Sequence, residues 1–154
     1  MMNSTPEIKT QLYQHCLDYV DQRISTAQTA MKAAQAAANE ESKSSAGDKY
    51  ETTRAMMQIE RDQCARQLTE ALKLRQELAG IDLDKTFPTV QPGSLVLTNR
   101  GTFFLGISIG KININQDTFL VVSAASPIGS QLLGRRVGDE ISFNKVAYRI
   151  LQIA

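Results

Sequence analysis

Glu40, Glu41, Asp48 and Glu51 bring four carboxylates into one twelve-residue stretch. Carboxylate oxygens are the hard donors that divalent cations take, so this stretch is the best supplied for metal chemistry. Asp48-x-x-Glu51 has a second explanation as a capping box, with Asp48 accepting from helix N–H groups and Glu51 reaching back. Glu40 and Glu41 close an expected helix, where the macrodipole disfavours negative charge. Acids placed against local preference are the better candidates for facing a cation, although a charged pair in a turn is ordinarily just solvated. Arg54 and Arg61, seven apart, share a helix side with Lys43 and Lys49 nearby. They suit phosphate, and a solvated helix face explains them equally well.

Other chemistry is poorly provided for. The single histidine, His15, adjoins Cys16, but neighbouring helix residues point in different directions and cannot form a nucleophile–base pair. There is no phosphate-binding glycine loop, dinucleotide fingerprint or Cys/His metal cluster, so an independent enzyme finds no support. The 154 residues carry a net charge of +1, which gives no global pull toward free DNA or RNA. Residues 1–83 hold 10 basic and 12 acidic side chains, and residues 84–154 hold 7 and 4, so a mildly acidic half precedes a mildly basic one. No apolar run reaches the roughly 18–20 residues of a membrane span, and the N-terminus lacks a signal-peptide core. Cys16 and Cys64 both fall in helical patterns, where small buried thiols in a reducing cytoplasm are the ordinary explanation. A cytoplasmic protein is expected.

Two helices must position the acids. Ile8, Leu12, Leu17, Val20, Ile24, Ala27, Met31, Ala34 and Ala38 recur mostly at spacings of three and four, an amphipathic seam close to a coiled-coil repeat. Met57, Cys64, Leu68, Ala71 and Leu78 line a second helix from about Asp48 to Leu78, stopped by Gly80. The polar stretch Asn39–Gly47 between them is expected to be a turn, which makes residues 1–81 an antiparallel helical hairpin with its tip at about 39–48. Pro88, Pro92 and Gly93 punctuate a linker over 82–92.

From residue 93 the period becomes that of strands. Ser94–Asn99, Thr102–Ile109, Thr118–Ala124, Glu140–Phe143 and Val146–Ile153 predict five strands, with a short helical turn at Ile128–Leu133 and a final hairpin around Asn144-Lys145. The expected class is α+β: a helical hairpin followed by a small antiparallel sheet domain with one short helix.

Within that domain, Ser126-Pro127-Ile128-Gly129-Ser130-Gln131-Leu132-Leu133-Gly134-Arg135-Arg136-Val137-Gly138-Asp139 resembles the S-P-[IL]-G-x-A-[LI]-[LI]-G-[KR]-x-x-G-D signature of bacterial Gre transcript-cleavage factors. Ten of the eleven specified positions match, Gln131 standing where the family has a small residue. Pro127 and the three glycines set sharp turns around Leu132-Leu133, a pair expected to bury against the sheet. The domain order matches the family over nearly the whole chain.

The resemblance implies an FKBP-like C-terminal domain over 93–154 that binds bacterial RNA polymerase while the hairpin enters the secondary channel. Ser126, Pro127, Ile128 and Arg135 or Arg136 would be exposed contacts, and Gly129, Leu132, Leu133 and Gly134 would shape the binding segment. No metal is implied in the free protein. Mg²⁺ would be held only within the polymerase complex, by acids at the hairpin tip, and nucleic acid would be met only there, as the RNA 3′ end. The family's tip reads G-D-x-S-E-N-x-E-Y; anchored on Tyr50, its two essential acidic positions fall on Lys43 and Ala46. Two functions therefore stay open, a factor that stimulates cleavage of backtracked RNA and a regulator that occupies the channel without donating ligands. A coiled-coil adaptor or dimerisation module is a third, from a different class. Neither membrane nor small-molecule substrate is implied.

Overall fold

The computed structural model describes residues 4–44 and 48–154, with side chains at 4–40 and 51–154. Its class is α+β: two long helices, α1 (Thr5–Ser44) and α2 (Asp48–Ala79), then a six-stranded mixed sheet and a short helix. Two compact units emerge. One is Asp18–Gln76; the other takes in α1 as far as Leu17 together with Glu77–Ala154. The boundary falls inside both helices rather than at residue 81.

In the Asp18–Gln76 unit, burial follows the heptad. Val20, Ala27 and Ala34 are buried on α1, and Cys64 and Ala71 on α2, each seven residues from the next in its helix. The seam is made mainly of alanine-sized side chains, which let two helices approach closely. The paired segments are each roughly 40 Å long at ~1.5 Å per residue. Polar links flank the seam: Arg75 with Asp21, Arg23 with Glu70 at 3.7 Å, and Arg61 donating to Gln35 at 2.9 Å. These pairings place early α1 residues opposite late α2 residues, so the helices run antiparallel.

α1 continues to Ser44, where the sequence predicts a turn from Asn39. No glycine or proline interrupts 39–44, and Glu and Lys are good helix formers, so propensity carries the helix onward. The core of the expected turn, Ser45-Ala46-Gly47, lies outside the described residues.

The other unit is built on β1 (Leu95–Thr98), β2 (Gly101–Gly106), β3 (Gly110–Ile114), β4 (Asp117–Ser123), β5 (Glu140–Phe143) and β6 (Val146–Ile153), with α3 (Pro127–Leu132) after β4. The spatial order is β3-β4-β2-β1-β6-β5. Two expectations are corrected. The sheet has six strands, and it is mixed, because β2 and β4 pair in parallel from Thr102↔Phe119 to Gly106↔Ser123. The expected strand Thr102–Ile109 stops at Gly106, and after a bend Gly110 takes φ +88° and starts β3 as a separate strand. β3 pairs antiparallel with β4 and carries the chain back, which is what lets β4 lie parallel to β2.

Both faces of β2 are covered, since Phe103, Phe104 and Leu105 are all buried. Phe103 and Leu105 join Val96, Val122, Ile128, Leu132, Ile141 and Ile150 in a core under α3. On the opposite face, a Cβ at Gly106 would stand 3.0 Å from the Phe104 ring and 3.3 Å from Cys16 Sγ of α1. Tyr13 of α1 also donates to the Leu78 carbonyl at 2.8 Å, satisfying one of the acceptors left open at the end of α2.

The expected linker is partly core. Val90 is fully buried; its N–H donates to Arg135 O at 2.9 Å and its carbonyl accepts from Gly134 N–H at 2.8 Å. An isolated apolar residue between prolines gives no periodic signal, so sequence pattern could not reveal this tie.

The two-residue turns of the β3–β4 and β5–β6 hairpins use left-handed backbone without glycine: Asn115 and Gln116 at φ +49° and +73°, Asn144 and Lys145 at +51° and +65°. Asparagine tolerates that region, whereas glutamine and lysine are strained there. Gln116→Gly and Lys145→Gly are each expected to raise stability by about 1 kcal/mol. The check is a higher urea midpoint with an unchanged denaturant slope.

Candidate functional site

The segment after β4 is fixed by its own serines. Ser126 Oγ accepts from Gly129 N–H at 3.0 Å and donates to Ser123 O at 2.7 Å, capping α3 while tying it to the end of β4. Pro127 occupies the first turn, where a missing N–H costs nothing. A Cβ at Gly129 would stand 1.8 Å from Ser123 O, so this position admits only glycine. Gly134, at φ +80°, turns the chain out of α3 and donates to Val90. Gly138, at φ +93°, donates to Ile150 O at 2.8 Å. Asp139 closes the last turn, its Oδ2 accepting from Arg136 N–H at 2.8 Å, and leads into β5 as the sequence implies.

This scaffold sorts the expected contact residues into two groups. Ile128, expected at the surface, is 8% exposed and belongs to the core beside Leu132 at 0%. Leu133, expected to be buried, is 41% exposed, and Val137 is 58% exposed. In a short helix only one face can meet the sheet. Residues 128 and 132, four apart, share that face, so position 133 turns away. Pro127, Arg135 and Arg136 are exposed and Ser126 is half-buried. Arg135 Nε donates to Gln131 O at 3.0 Å, which steadies its guanidinium. Gln131, the departure from the signature, is exposed and disturbs no packing. The outcome is a surface of three apolar side chains, Pro127, Leu133 and Val137, and two arginines on a rigid turn.

The Asp18–Gln76 unit carries the other candidate residues. Glu40 and Glu51 are exposed on α1 and α2. The side chains of Glu41, Lys43, Asp48, Lys49 and Tyr50 lie outside the described residues, and so does the proposed Asp48–Glu51 capping box. Among the described residues, no group of three or more His, Cys, Asp or Glu is placed to hold a metal ion. Arg54 and Arg61 do share a site: both line a cleft of about 340 Å³ between the helices, over the small side chains of Ala34 and Ala38. Gln35 there accepts from Arg61 and donates to Asn39 Oδ1 at 3.0 Å.

His15 is exposed while Cys16 is buried, in keeping with their divergent directions. Burial pushes the Cys16 thiol up, only partly offset by a backbone hydrogen bond at Ile107, so it stays protonated and inert near neutrality.

Lys9 is the residue that sequence reasoning missed. It is 3% exposed. Its place was readable in hindsight, because Lys9, Tyr13, Cys16 and Val20 follow a four-three-four spacing along the buried face of α1. Burial pushes its ammonium below the usual 10.5, and Asp84 and then Asp82 pull it partly back.

These placements fix three outcomes. Leu132→Ala is expected to cost about 2–5 kcal/mol, while Leu133→Ala stays within about 0.5 kcal/mol. Gly129→Ala is expected to cost about 3 kcal/mol or more, since β4 and α3 must separate. For Lys9 the folded state holds its proton less firmly than the unfolded chain. The cost of its charge is therefore full below the lowered value and fades as pH rises toward 10.5. Lys9→Met should be more stable than wild type below the lowered value, with the gap closing as pH rises from there to 10.5. Chemical denaturation of both proteins across the range measures it. In comparisons with known proteins, no family model matches this chain, and no curated protein matches it in sequence.

Proposed function

We propose that this protein is a Gre-like factor that binds bacterial RNA polymerase through an FKBP-like sheet domain and inserts its helical hairpin into the secondary channel. The observation that carries the reading is the division within the 126–139 signature. Its glycines, Ile128 and Leu132 build a rigid turn, and Pro127, Leu133, Arg135, Arg136 and Val137 are left outward. Apolar groups with arginines are the composition that interface centres favour. Supporting it, the Asp18–Gln76 unit is a pair of antiparallel helices with a seam of small residues, which keeps a hairpin slim enough for a narrow passage.

Within this reading, occupation of the channel without cleavage is favoured over stimulation of cleavage. Lys43 and Ala46 stand where the family has its essential acids, and neither can donate an oxygen to Mg²⁺. Glu40, Glu41, Asp48 and Glu51 are the remaining carboxylates that could serve a second metal at the polymerase centre, where two metals stabilise attacking and leaving oxygens together. The protein contributes no active site of its own. It would act in the cytoplasm, where the polymerase is.

The test mixes the protein with backtracked elongation complexes of its host polymerase and follows RNA 3′-end cleavage in Mg²⁺. Tight binding without stimulated cleavage is the expected result. Stimulation abolished by Glu40→Ala/Glu41→Ala or by Asp48→Ala/Glu51→Ala would establish the cleavage role instead. Arg135→Glu/Arg136→Glu should weaken binding at least about tenfold with the unfolding midpoint unchanged. Absence of any binding would leave the coiled-coil adaptor as the reading.

A further inference from the structure

We draw no further inference here: the strongest candidate, the cleft of about 340 Å³ that Arg54 and Arg61 line between α1 and α2, repeats the phosphate-facing pair already read from the sequence, and with Arg61 bonded to Gln35 nothing in the structure shows what covers it.

Discussion

The carbonyl of Ser123 fills the space where any side chain at position 129 would lie, and much of the sheet unit follows from that contact. With only glycine there, α3 can sit against the end of β4 at backbone distance. Ser126 then reaches both partners at once, Gly129 N–H and Ser123 O. The direction of α3 is thereby set, and with it the four-residue step that sends Ile128 and Leu132 into the core. Gly134 and Arg135 leave the helix at the height of Val90 and bind it by two backbone bonds. A stretch that looks like a tether becomes part of the packed unit. The functional consequence is stiffness: the outward side chains of this turn are held by backbone geometry rather than by one another.

A surface of that kind is preorganised, so little freedom is lost when a partner covers it. The helices of the Asp18–Gln76 unit depend on something different, a seam of alanines, one valine and one cysteine with polar links at its margins. Burial per residue is small there, so helix propensity and repeated pairing maintain the unit where bulk hydrophobicity does not.

Much of this was legible in the residues. The heptad at Val20, Ala27 and Ala34 repeats a period long enough to stand out from noise. Asn144-Lys145 marked the β5–β6 turn because asparagine is one of few side chains that tolerate left-handed backbone. What stayed hidden has common causes. Lys111-Ile112-Asn113-Ile114 alternates as a strand should, but it is short, and parallel pairing of β2 with β4 is a long-range property that no local pattern encodes. Ile128 and Leu133 were exchanged because a six-residue helix offers too few turns to define its inner face. Lys9 was overlooked because charge ordinarily signals exposure. The 126–139 segment was recognised as a unit, yet the same glycines that made it recognisable report backbone geometry first and contacts only by inference.

β6 pairs with β1, which precedes it by about fifty residues, and stands between β1 and β5 in the finished sheet. During synthesis, therefore, β1 keeps one side of its ladder open until β6 has cleared the ribosome. The two helices of the Asp18–Gln76 unit are neighbours in sequence and can close on each other much earlier. Cys16, which precedes both of them in the chain, must wait for Phe104 to Ile107 before its partner face exists. The order of manufacture thus departs from the order of packing: this stretch of α1 finds its place only after the helical pair that is made later.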